Sequence, residues 1–371
     1  LALLTLCPIL NNSRNQLPNH TTPPVIKNII LISLVLVSLS SELPARNFHY
    51  IQPAANTSKS SLFNIESLTF TLELRGRMHI RYEYKFDDEE VDAPAISIPR
   101  ARIAIKPEIS KFLASEIEID FSKQQPELRD AYIRIKPYRY FRLFAGYSKK
   151  PLSYEEMTSY FRLPFTSRTE ANDEFGDALL IGRDVGTYIY GDFGKKYHLR
   201  YYLGIFNGSD RISIKDDNSY KQKVLRIEQG WKNLLTVGTS ISKNRSQITG
   251  KTHDYFGCDA LFTKKRVRLS CEYQEGHNDK YNLSRGFYVW TEVRVFRKIY
   301  LEYRYEIFDK NSKKTGREEI YTYGLTLSPN KRNRIQVNGI YFKPVCREAF
   351  WELVIQGQLE ISGKLNLHLL K

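Results

Sequence analysis

The sequence predicts an all-β chain: a transmembrane, antiparallel, up-and-down β-barrel of about 16 strands, with one long loop folded inward. Three observations carry that expectation. The first is an unbroken alternation over residues 69–86. Phe70, Leu72, Leu74, Gly76, Met78, Ile80, Tyr82, Tyr84 and Phe86 fall on one face of a strand, and Thr69, Thr71, Glu73, Arg75, Arg77, His79, Arg81, Glu83 and Lys85 on the other. Strands of soluble sandwiches rarely exceed about ten residues, whereas a wall between lipid and water can be longer, apolar outside and charged inside. The second is a regular alternation of short and long connections along the chain, which an up-and-down barrel requires and Greek-key crossovers do not. The third is composition. Tyr (25) and Phe (20) are abundant and Met (2) is scarce, which suits strands and interface girdles better than a helical core. The mean hydropathy of −0.44 agrees, because only every second barrel residue meets lipid.

Taken in order, the chain opens with a polar stretch, residues 1–24, rich in Pro and Asn and carrying Cys7. It reads as an overhang upstream of a translation start near Val25. Residues 25–45 follow as a secretory signal peptide: Lys27 gives a positive start, Ile29 to Leu39 an apolar core, and Leu43-Pro44-Ala45 a small-residue cleavage site. Cleavage after Ala45 removes Arg14, Lys27 and Glu42 and takes the formal charge from +15 to +14. Residues 46–66 form a polar periplasmic lead-in, 67–361 the barrel, and 362–371 a C-terminal extension beyond a last strand that closes at Ile361.

Alternation and turn signals place strands near 68–86, 96–106, 112–121, 128–136, 141–149, 182–193, 197–207 and 220–231. Eight more follow near 234–244, 253–263, 267–275, 285–296, 299–308, 319–328, 333–342 and 349–361. Short turns fall at Lys195-Lys196, Lys232-Asn233, Lys264-Lys265, Arg297-Lys298 and Asn330 to Arg332; longer segments span 87–95, 150–181, 208–219, 276–284 and 309–318. A two-residue turn at Lys264-Lys265 would set Cys258 directly opposite Cys271 on the apolar face, close enough for a disulfide in an oxidising compartment. The alternative is two small residues packed against lipid. Cys346 has no evident partner.

Enzymatic chemistry finds no support. G-x-S-x-G, P-loop and H-E-x-x-H motifs are absent, the seven His are scattered, and no Cys/His spacing suits a metal. No cofactor is expected. The candidates are cations on the water-facing parity: Arg75, Arg77, Arg81, Lys85, Arg100, Arg102, Arg134, Lys136 and Arg142. A column of cations in a narrow low-dielectric wall concentrates anions. The same strands carry Glu73, Glu83, Glu116, Glu118, Asp120 and Asp130, so a salt-bridge lattice that stiffens the wall is the competing reading. Glu116, Glu118 and Asp120 stand between two basic strands. The 150–181 segment, with Lys150, Arg162, Arg168 and, at its end, Arg183 against Glu155, Glu156, Glu170, Asp173, Glu174 and Asp177, is the candidate constriction.

Asp130-Ala131-Tyr132-Ile133, then Phe144 through Gly146, Lys149, Pro151, Glu155, Thr158 and Ser159, then Arg183-Asp-Val-Gly186, Gly191-Asp-Phe193 and Leu203-Gly-Ile-Phe-Asn207-Gly208, together resemble the phosphate-selective porin O and P family. The likeness is clear over about residues 75–210, and Gln356-Gly-Gln358 is similar to the family's closing strand. It implies a sixteen-stranded outer-membrane barrel, usually homotrimeric, that passes small anions, in some members phosphate or polyphosphate. It also implies pore roles for Lys149, Glu155, Thr158 and Ser159. This chain departs from the family by ending in Lys371 rather than an aromatic residue.

The expectation is therefore an outer-membrane porin for passive diffusion of small anions. Arg75, Arg77, Arg81, Arg100, Arg102, Arg134, Arg142 and Lys149 would attract the solute, and Lys150, Glu155, Thr158, Ser159, Arg162 and Arg168 would shape the constriction. Expected partners are outer-membrane lipid, anions such as phosphate and further copies of the chain, not nucleic acid. Two alternatives stay open: a non-conducting anchor closed by its Arg/Glu lattice, and a channel for acidic oligosaccharides with Tyr138, Tyr140, Tyr188 and Tyr190 as stacking surfaces.

Overall fold

The computed structural model describes residues 68–86, 94–209, 215–278, 282–311, 316–330, 332–345 and 348–369. The overhang, the signal peptide, the lead-in and Cys346 lie outside them. Sixteen strands run in chain order: β1 (Leu68–Phe86), β2 (Ala95–Glu108), β3 (Leu113–Asp120), β4 (Glu127–Ile135), β5 (Arg142–Lys149), β6 (Arg183–Phe193), β7 (Leu199–Phe206) and β8 (Gln222–Trp231). They continue as β9 (Leu235–Lys243), β10 (Tyr255–Lys264), β11 (Val267–Asn278), β12 (Asn282–Phe296), β13 (Ile299–Asp309), β14 (Glu318–Leu327), β15 (Arg334–Lys343) and β16 (Phe350–Leu369). Each pairs antiparallel with its sequence neighbours, and β1 pairs with β16 to close the barrel. Closure leaves no sheet edge, the condition for β-structure to stand in lipid.

The barrel is polar inside and apolar outside. Gln336, Asn338, Gln222 and Thr322 are fully buried, while Ile133, Leu203, Ile103 and Leu325 are about half exposed on the outer face. At the short-turn end, exposed aromatics form a ribbon: Tyr138 stacks on Tyr140 at 5.2 Å, Tyr140 on Phe193 at 6.3 Å, and Tyr197 packs edge-on to Trp231 at 5.6 Å. Such rings suit the headgroup boundary.

Three sequence expectations need correction. The last strand does not stop at Ile361, and residues 362–369 are not an extension: β16 runs to Leu369 and pairs Ser362 with Arg75 through Leu369 with Leu68. The Ser362-Gly363 pair resembles a turn, yet Gly363 sits opposite Leu74 with open space around it, and Leu365 resumes the apolar face. The first half of β1 needs this partner. Second, the β10–β11 turn is Lys265-Arg266, with Lys265 at φ 51, and Lys264 pairs with Val267. That shifts the register by two, so Cys258 faces Tyr273 and Cys271 faces Ala260. Both thiols are free, and no disulfide joins them. Third, the 276–284 connection is shorter than expected, because β11 and β12 continue to Asn278 and Asn282. The Lys232-Asn233 turn is as expected: both residues have positive φ and Leu234 N donates to Trp231 O at 2.8 Å, a hairpin turn of the primed kind.

Candidate functional site

The segment between β5 and β6 folds into the lumen. It carries α1 (Tyr154–Met157), a 3-10 turn (Tyr160–Arg162) and α2 (Glu170–Asp177). Ser153 caps α1 by accepting from Glu156 N at 3.1 Å, and Thr169 caps α2 by accepting from Asn172 N at 3.3 Å. The remaining loop backbone finds partners on distant strands. Glu272 of β11 accepts from Tyr154 N at 2.9 Å and Glu155 N at 3.2 Å. Arg304 of β13 donates to Ser167 O at 3.0 Å, and Glu306 accepts from Glu170 N at 3.0 Å. Arg334 of β15 donates to Leu163 O at 2.8 Å and Asn338 accepts from Thr166 N at 2.8 Å, while Arg81 of β1 donates to Thr166 O at 2.6 Å. The loop thus crosses the barrel, and lumen side chains satisfy a backbone that has no ladder of its own. Two apolar clusters reinforce it: Phe165 with Tyr288 and Trp290, and Phe175, Leu180 and Ile181 with Phe206, Tyr255 and Phe308.

On the β1–β6 side, the loop and wall enclose a cavity of about 400 Å³. Eight cations line it (Arg75, Arg77, Arg102, Lys106, Arg134, Lys149, Arg162, Arg183) against four carboxylates (Glu116, Glu118, Asp130, Glu360). Most are paired. Arg75 meets Glu116 at 3.0 Å, Arg77 is bonded to Glu118, Arg102 reaches Asp120 at 2.7 Å and Glu118 at 3.4 Å, and Lys106 meets Glu116 at 2.5 Å. Arg183 lies 3.4 Å from Asp130. Glu116, Glu118 and Asp130 bring carboxylate oxygens within 4.8 Å of one another, and each of the three is ion-paired with a guanidinium or ammonium group. Arg134 and Arg162 form no ion pair among the described residues. Arg134 lies over the Tyr132 ring at 5.8 Å, and Arg162 is exposed to the cavity.

The sequence candidates therefore divide. Arg75, Arg77, Arg102, Arg134, Lys149, Ser159 and Arg162 share the cavity, with Glu116 and Glu118 as counter-charges and Asp120 behind them. Arg81 stands apart, held by Glu83 at 2.9 Å and Gln356 at 3.0 Å. Arg100 stacks on Tyr160 at 3.4 Å and Arg142 lies over Tyr190 at 5.5 Å; neither lines the cavity. Several loop residues hold the loop together. Lys149 donates to Thr158 O at 3.2 Å, Lys150 to Leu179 O and Gln222 at 2.8 Å, and Thr158 Oγ1 to Tyr154 O at 2.9 Å. Glu155 accepts from Thr169 Oγ1 at 2.6 Å, Arg168 is ion-paired with Glu156, and Ser159 accepts from Arg77 at 3.5 Å. Sequence reading did not single out Lys106, although it shares the inward parity of Arg100 and Arg102. It also passed over Arg304 and Arg334, whose partners include loop carbonyls more than 130 residues away.

The family model for phosphate-selective porin O and P matches residues 72–341. No curated protein matches the chain. Among solved structures, the trimer form of OmpT from Vibrio cholerae is similar with a TM-score of 0.59 at 13% identity, covering 79% of this chain and 99% of that one. OmpF of Salmonella typhi in complex with daunomycin aligns with a TM-score of 0.58 at 12% identity, over 78% of this chain and 97% of that one. The anion-selective porin from Comamonas acidovorans gives 0.57 at 11% identity, over 80% of this chain and all of that one. At such identities these likenesses speak for the fold alone. The matched span, the closed sixteen-stranded barrel and its inward loop agree: the chain is an outer-membrane β-barrel channel and belongs to the phosphate-selective porin O and P family.

Proposed function

We propose that the pore passes small anions by passive diffusion, with phosphate among them. The observation that carries this reading is the cavity in which eight cations face four carboxylates, with Arg134 and Arg162 left without ion-pair partners. In a narrow lumen such a surplus raises the local anion concentration, and two guanidiniums without a carboxylate partner offer charge-assisted hydrogen bonds to an oxyanion. Conduction needs binding weak enough to reverse, which two cations on opposite elements, one on β4 and one on the loop, supply better than a closed cage. The basic column of β1 and β2 acts mainly through its lattice with Glu116, Glu118 and Asp120, which holds the wall in shape. A homotrimer is the expected assembly, by likeness to the Vibrio cholerae OmpT described as a trimer form.

The test is the reversal potential of single channels in a planar bilayer under a chloride gradient, followed by phosphate titration. Anion-selective steps that phosphate blocks, together with a loss of preference in Arg134→Gln/Arg162→Gln, agree with the proposal. A folded barrel with no steps would favour the anchor reading, to which the loop tied across the lumen lends support.

A further inference from the structure

The cavity wall beside the β1–β3 lattice, on β4 to β6, is aromatic, and simple anion passage makes no use of it. In the register of β4 to β7, Arg134 pairs with Phe144, Phe144 with Tyr188 and Tyr188 with Gly204. In a second row Arg142 pairs with Tyr190, and Tyr190 with Tyr202. Each pair of rings thus has an arginine at its head, on the preceding strand. The rings stack: Phe144 on Tyr188 at 4.5 Å with planes 13° apart, and Tyr190 on Tyr202 at 5.9 Å with planes 5° apart. Glycine makes room for Tyr188 and for the Phe206 ring that packs against it: a Cβ on Gly204 would fall 2.7 Å from Tyr188 Cβ, and one on Gly186 would fall 2.4 Å from the Phe206 ring. Phe144 and Tyr188 line the same cavity as Arg134 and Arg162. These rings point into the lumen, so they are not part of the lipid-facing girdle that Tyr138 and Tyr140 join.

We propose that this pore takes aromatic carboxylates: the ring packs edge-on against the Phe144–Tyr188 pair where it lines the cavity, and the carboxylate is held by Arg134 or Arg162. The inference rests on the anion-channel reading and narrows its solute class. Adjacent strands lie about 4.8 Å apart, so Arg134, one strand from Phe144 and two from Tyr188, reaches the acid group of a ring packed against that pair. An acidic sugar fits less well. Its hydroxyls need free acceptors, and Glu116, Glu118 and Asp130 are committed to arginines and Lys106.

The experiment compares block of the chloride current by benzoate, cyclohexanecarboxylate, galacturonate and acetate, in the protein reconstituted in a planar bilayer. Benzoate should block at roughly fivefold lower concentration than cyclohexanecarboxylate, the size of effect an aromatic pair contributes beyond simple burial. That ratio should fall toward one in Tyr188→Leu, or in Phe144→Leu if the first variant does not conduct. Equal block by benzoate and cyclohexanecarboxylate in an anion-selective pore overturns this proposal and leaves the anion channel standing. Strongest block by galacturonate also overturns it, in favour of sugar acids. A pore without anion preference overturns both.

Discussion

Glu118 shows at the level of single residues what the lattice does. It is almost fully buried, bonded to Arg77 and within reach of Arg75 and Arg102 at 3.7 and 3.4 Å. Replacing it with Gln leaves three guanidiniums sharing Glu116 and Asp120, and breaking a buried ionic cluster typically costs about 3–5 kcal/mol. Glu118→Gln should therefore lower the temperature at which the barrel loses its compact migration in electrophoresis, and should shift the reversal potential further toward anions. A more stable variant, or one with weaker anion preference, would contradict the lattice. Glu170 offers a pH test. Burial, reinforced by Glu318, Glu174 and Asp173, pushes its carboxyl up to about 7 from the usual 4.5. The raised value means that the folded loop prefers the protonated acid. Its contribution to stability is full below about pH 4.5 and is lost as the pH rises through 7. Anion preference should fall between about pH 6 and 8 as Glu170 ionises, and Glu170→Gln should make that fall shallower in bilayer recordings.

At the scale of elements, period-two alternation made the strands legible. β1 is bounded at Leu68 and Phe86, as the alternation of its side chains requires, and all sixteen strands overlap their expected spans. What failed was register and termination. Neither face of a hairpin changes when the pairing slips by two, so the pattern around Cys258 and Cys271 fits both the expected and the observed turn. Ser362-Gly363 likewise imitates a turn, and only the unpaired half of β1 shows why the strand continues. The loop contacts were illegible for another reason: Arg304, Arg334 and Asn338 bind backbone atoms, which carry no sequence signature. The continuation of β16 has a consequence. Truncation after Ile361 strips partners from Leu68 through Arg75 and leaves an open edge in lipid. Each unpaired backbone group in that setting costs several kcal/mol, so the shortened chain should fail to give the heat-modifiable compact band that the longer chain gives.

For the molecule as a whole, the question is whether the inward loop is a fixed constriction or a plug that moves. It is fastened at points spread around the barrel: Glu272 on β11, Arg304 and Glu306 on β13, Arg334 and Asn338 on β15 and Arg81 on β1. No single strand carries it, so local breathing of one hairpin should leave it in place. A buried hydrogen bond to a charged group contributes about 1.5–3 kcal/mol, and loss of several together is enough to populate a displaced loop. Arg334→Ala alone should leave conductance nearly unchanged. The triple change Arg334→Ala/Asn338→Ala/Arg304→Ala should give larger steps with frequent transitions between levels, and faster protease cleavage between residues 160 and 170. A triple variant with unaltered steps and unaltered cleavage would mean that the Phe165 and Phe175 clusters hold the loop without help from the polar wall, and that the bore is set by apolar packing.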